Sequence, residues 1–131
     1  MGLFEASVKI GAMNNGNPVF NAEVKLQVDT GATYTTIPAE VLDRVGVTRL
    51  GEMSVRMANG MFIKKSYGGA VLEVEGRIVA ATVLFGEPGD FALLGATTLE
   101  QASMAVDPVG QRLVAQNGHP GLSASHTFKQ A

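Results

Sequence analysis

The sequence predicts a mostly β domain, and three stretches carry the prediction. In residues 19–28, Phe20, Ala22, Val24, Leu26 and Val28 alternate with Val19, Asn21, Glu23, Lys25 and Gln27, the period of a strand with one buried face. Residues 52–67 read as a hairpin: Met53, Val55 and Met57 alternate with Ser54 and Arg56, and Asn59-Gly60 supplies a two-residue turn. Residues 78–85, Ile-Val-Ala-Ala-Thr-Val-Leu-Phe, are almost continuously apolar, as expected of a strand buried on both sides. At 131 residues the chain is long enough for one core and for one domain.

The remaining elements follow in order. Residues 4–10 alternate loosely and run into Asn14-Asn15-Gly16, a turn signal. Residues 38–46 predict a short helix, with Pro38 at its first position and Gly46 at its C-terminal cap. Residues 70–75 and 77–85 form a strand pair around Gly76, and 86–90 a loop. Residues 96–103 predict a second short helix, with Thr97 or Thr98 near its start and Glu100 in its first turn. Residues 104–107 and 112–115 flank a turn at Pro108-Val109-Gly110. We take 1–115 as the domain and 116–131, rich in Gly, Ser, His, Pro and polar residues, as a flexible tail.

Composition narrows the function classes. An apolar content of 46% argues against a disordered chain. A net charge of -2 gives no general attraction to nucleic acid or to anionic membranes. No apolar run approaches the ~20 residues of a membrane helix. The first residues lack the basic and apolar regions of a secretory signal, so a cytoplasmic location is expected. Cysteine is absent, which excludes disulfides and thiolate metal sites. His119 and His126 both fall in the polar tail. No metal and no cofactor are expected.

The chemistry concentrates at Asp29-Thr30-Gly31-Ala32, at the end of the strand over residues 19–28. An aspartate there is costly unless its charge is hydrogen-bonded or used, and Gly31 allows a close backbone approach. An Asx turn closing the strand accounts for the same residues, so the tetrad needs a second signal. Phe91-Ala92-Leu93-Leu94-Gly95 supplies it: two aliphatic residues and a glycine just before a predicted helix.

Together these segments resemble the retropepsin-like aspartic proteases, over about residues 4–113. The resemblance implies a closed, barrel-like β fold with a flap hairpin and one or two short helices. It implies that Asp29 is catalytic, that Thr30, Gly31 and Ala32 complete its loop, and that the aliphatic-aliphatic-Gly segment supports that loop from beneath. Met57, Asn59, Gly60 and Met61 fall on the flap. Phe91 and Leu93, with Ala32 and Met57, are the pocket walls, which favours hydrophobic residues beside the cut. Retroviral members usually carry an acid just after the tetrad and a base after the supporting glycine. Here those positions are Thr33 and Ala96, and the chain looks closer to cellular, especially prokaryotic, members.

The reaction needs two facing carboxylates, and this chain has a single Asp-Thr-Gly. The resemblance therefore implies a homodimer with one Asp29 from each copy at the two-fold axis, acting on an extended peptide or protein segment. Two other readings stay open at this point. The scaffold could bind peptides without cutting them, or could serve as a dimerisation module.

Overall fold

The computed structural model describes residues 4–116. Strands account for 58% of the structure. In chain order the elements are β1 (Glu5–Asn14), β2 (Asn17–Val28), β3 (Thr35–Pro38), α1 (Ala39–Val45), β4 (Gly51–Arg56), β5 (Phe62–Val74), β6 (Arg77–Gly86), β7 (Leu93–Leu94), α2 (Ala96–Gln101), β8 (Met104–Asp107) and β9 (Arg112–Ala115). The main sheet runs β1-β2-β7-β3-β6-β5-β4, and β1 also pairs with β5. That extra pairing closes a ring of strands, a barrel-like fold of the retropepsin kind, and leaves β4 outside the ring as an edge. The closure is short on one side, where β7 pairs with β2 only at Gln27 and Val28 and with β3 only at Thr36.

Alternation fills the interior. Ala6, Val8 and Ile10 of β1, Leu26 and Val28 of β2, and Leu72 and Val74 of β5 are buried. They meet Ile37, Val83, Phe85 and Leu94 in one core, and Val41, Leu42 and Val45 of α1 cover it. Gly11 allows β1 to bend where its register shifts, since a Cβ there would lie 2.0 Å from the Val19 carbonyl oxygen.

Several local expectations are refined. The β5 strand runs unbroken through Gly68 and Gly69, where the sequence suggests a gap between two strands. Gly68 lies against the loop after α1: a Cβ there would sit 2.4 Å from the Thr48 carbonyl oxygen. Pro38 is the residue before α1 rather than its first residue, in an extended conformation with ψ 133°. Gly46 closes α1 as expected, with φ 94°. Helix α2 begins at Ala96 without a side-chain cap, and Glu100 lies beyond its first turn. Thr98 instead points inward and is buried.

The hairpin turns divide differently from the sequence reading. Asn15-Gly16 and Glu75-Gly76 have positive φ at both residues (52° and 81°, 51° and 80°), the two-residue turn that matches strand twist. At Asn59-Gly60 only Gly60 has positive φ, 87°. The Gly60 N–H donates to the Met57 carbonyl at 2.8 Å, and the Met57 N–H donates to the Met61 carbonyl at 2.7 Å. This is a three-residue loop, a turn over Met57–Gly60 followed by a glycine bulge.

Among the described residues, no helix is long and apolar enough to cross a membrane. Residues 117–131, which carry nearly all of the expected flexible tail and both histidines, lie outside the described residues.

Candidate active site

Strand β2 delivers Asp29. Its inward residues Leu26 and Val28 are buried, and the chain leaves the sheet at the next position. The segment 92–94 runs parallel beside it, with Gln27 opposite Leu93 and Val28 opposite Leu94. The Gln27 N–H donates to the Ala92 carbonyl at 3.0 Å, and the Asp29 N–H donates to the Leu94 carbonyl at 3.0 Å. The aspartate's backbone is therefore anchored to the supporting segment at its own amide.

Beyond it the chain makes a tight turn. The Ala32 N–H donates to the Asp29 carbonyl at 3.1 Å, and the Gly31 N–H donates to Asp29 Oδ1 at 2.9 Å. This is the Asx turn that the sequence allows at the end of the strand. Gly31 matters sterically as well: a Cβ there would lie 3.2 Å from that Oδ1 and crowd it. Asp29 and Ala32 are half-buried, whereas Thr30 and Gly31 are exposed at the loop tip.

The supporting segment grips the loop from the far side. The Ala96 N–H donates to the Ala32 carbonyl at 2.7 Å, and the Thr97 N–H to the Thr33 carbonyl at 3.0 Å. Backbone bonds at the start of α2 thus join residues 32 and 33 to residues 96 and 97. Gly95 is forced, because a Cβ there would sit 2.5 Å from the Tyr34 carbonyl oxygen and 3.0 Å from that of Ala32. Beneath, Thr35 Oγ1 accepts the Gly95 N–H at 3.0 Å and lies 2.6 Å from Thr98 Oγ1. Both threonines are buried. The sequence reading missed this pair; Thr98 was visible only as a candidate cap.

The other expected site residues lie on two more segments. At the hairpin tip Met57, Asn59, Gly60 and Met61 are exposed, and Asn59 Oδ1 accepts the Met61 N–H at 2.9 Å. Phe62 beside them is 64% exposed and was not singled out from sequence. Phe91 is 73% exposed just before β7, and Leu93 is half-buried within it. An ion pair between Lys65 on β5 and Asp90 joins the hairpin strand to that loop.

Two other aspartates, Asp90 and Asp107, are already engaged. Burial pushes the Asp90 carboxyl up, but the Lys65 ammonium and the Glu87 N–H outweigh it and hold it below the ordinary range. Hydrogen bonds from the Gly110 and Val109 N–H groups and from Arg112 likewise hold the Asp107 carboxyl low, in the turn between β8 and β9.

The family model for gag-polyprotein putative aspartyl protease matches residues 17–101. The match begins at the first residue of β2 and ends at the last of α2. It takes in the Asp29 loop, the hairpin and the supporting segment, well over half of the chain. The chain belongs to this family. No curated protein matches it. Membership in the aspartyl protease family supports a protease-type function, and the Asp29 loop lies within the matched region.

Proposed function

We propose that the protein is a homodimeric aspartic endopeptidase whose active site forms from the Asp29 loops of two copies. The observation that carries the reading is the Asp29 loop itself. It presents Thr30 and Gly31 outward at the end of a strand, while a bond to the Leu94 carbonyl and bonds from the Ala96 and Thr97 N–H groups fix it from behind. A loop so held, with its tip exposed, suits an isologous contact in which each copy supplies the same groups.

Two like carboxylates at close range hold one proton between them. The ionised Asp29 takes a proton from a water as that oxygen adds to the scissile carbonyl carbon. The protonated partner gives its proton to the carbonyl oxygen, forming a gem-diol. On collapse the C–N bond breaks and the nitrogen leaves with a proton from the carboxyl pair. Thr30 would bond across the axis and Gly31 would leave room for the substrate backbone. The hairpin tip at Met57, Asn59, Gly60 and Met61 would close over an extended peptide and exclude water. Ala32, Met57, Phe91 and Leu93 would line pockets for hydrophobic side chains on either side of the cut.

The test is incubation with a peptide library, with and without a statine-type inhibitor, over a protein dilution series followed by sedimentation. Inhibitable cleavage at hydrophobic sites, with specific activity falling as dimer dissociates, is expected. Binding without cleavage, or full activity in a monomer, would overturn the proposal.

A further inference from the structure

The less exposed face of the hairpin carries one cation. Opposite residues share a face, so Val55 lies with Ile63, Met53 with Lys65, and Gly51 with Tyr67. The Lys65 side chain is only 10% exposed. An ammonium in that setting is costly unless an acceptor meets it, and Asp90 Oδ2 does.

The same oxygen accepts the Glu87 N–H at 2.7 Å, and the Asp90 N–H donates to the Glu87 carbonyl at 2.9 Å. The loop is thus wound around the carboxylate that Lys65 holds, with Gly89 at φ 95° inside it. Phe91 follows directly. One residue further, the Ala92 carbonyl is bonded to the Gln27 N–H, two positions before Asp29. A short path of bonds therefore joins the hairpin strand, the exposed Phe91 and the strand that carries Asp29. The other ion pairs among the described residues have cations 44% to 71% exposed, a setting in which such pairs contribute little.

We propose that Lys65 and Asp90 form a tether that fixes the flap hairpin against the loop carrying Phe91, making both of them positioning residues for substrate. The proposal rests on the flap reading given above. An extended substrate touches the flap and the Phe91 loop together, so only molecules with the two correctly spaced bind it well. Loss of the tether lowers that population and raises KM, with little change in kcat.

The experiment follows amide exchange in the full-length protein, where each variant is read on the element it does not alter. In Lys65→Met, the Glu87 and Asp90 amides should exchange at least about fivefold faster. In Asp90→Asn, the Met57 and Gly60 amides should do the same, while Asp29 and Val28 keep wild-type rates. Lys65→Arg should behave as wild type, and the charge swap of Lys65→Asp with Asp90→Lys should recover much of the protection. On a cleaved peptide, KM should rise severalfold in both single variants with kcat within about twofold. Unchanged exchange across the pair, or a swap no better than the single variants, would overturn the tether. A wild-type protein that cleaves nothing would sink the protease reading alone, because the exchange rates still decide whether the two segments are coupled.

Discussion

Around Asp29 the chain is held from several directions, whereas at Asn59-Gly60 it is held by little more than itself. The Asp29 amide, the Ala32 and Thr33 carbonyls and the Gly95 amide all bond across to another segment, and two buried threonines meet beneath them. The hairpin tip closes on its own backbone, between Met57, Gly60 and Met61, and leaves Met61 and Phe62 each 64% exposed. Beyond the ladder to β5, the Lys65–Asp90 pair is its link to the Phe91 loop. The difference fits the two tasks proposed above. A carboxylate meeting its twin would need fixed geometry, and a cover admitting substrate would have to open at low cost, which draws it from weakly held structure.

The largest effect expected is at Asp29. Asp29→Asn keeps the size and can keep the bond from Gly31, but removes the proton acceptor. Peptide cleavage should fall by ~10³-fold or more with an unchanged melting transition. A close second is Gly95→Ala, which drives a methyl group into the Tyr34 carbonyl. A loss above about 3 kcal/mol, seen as a large drop in urea midpoint, is expected there, because backbone cannot yield as a side chain does.

The buried threonines come next. Thr35→Val orphans both the Gly95 amide and the Thr98 hydroxyl and should cost about 1–3 kcal/mol. Thr98→Val should cost less, and the double variant less than the sum, with chemical denaturation as the readout. At the hairpin, Gly60→Val forces a β-branched residue into positive φ at about 1–2 kcal/mol of local strain. Because the tip is exposed and self-contained, kcat/KM should suffer more than the melting temperature. Equal activity would mean that the hairpin is not a flap.

The smallest effect is in pH. Asp90 is held below its ordinary value in the folded chain, and Lys65 is the charged side chain bonded to it. Its contribution to stability is therefore present above about pH 4, the unfolded range. It is lost as pH falls through the lower folded value. Asp90→Asn should flatten that part of the acid limb in a denaturation series, and an unchanged limb would argue against the pairing.

Much of this was legible from sequence, for physical reasons. Strand alternation placed Leu26, Val28 and the neighbouring core residues correctly, because a half-buried strand cannot hide its period. The Asp-Thr-Gly and Leu-Leu-Gly segments announced the loop and its support. The turn at Asn59-Gly60 misled because local preference competes with register. A two-residue loop would set Val55 opposite Lys64. The observed three-residue loop sets Val55 opposite Ile63 instead and keeps the apolar side chains on one face. Thr35–Thr98 and Lys65–Asp90 are separated by 63 and 25 residues. No local pattern reports such pairs, since each partner alone reads as an ordinary polar residue. The continuity of β5 through Gly68 was hidden for a similar reason, being set by its pairing with Val83 and its close approach to Thr48.

The central claim is that one active site draws an Asp29 from each of two copies, and subunit mixing tests it most directly. Wild-type protein is equilibrated with a ninefold excess of Asp29→Asn chains, and native mass spectrometry verifies that heterodimers have formed. If each site needs both carboxylates, activity per wild-type subunit should fall about tenfold, the chance that a wild-type copy finds a wild-type partner. Activity per wild-type subunit that stays constant across the series would contradict the shared site.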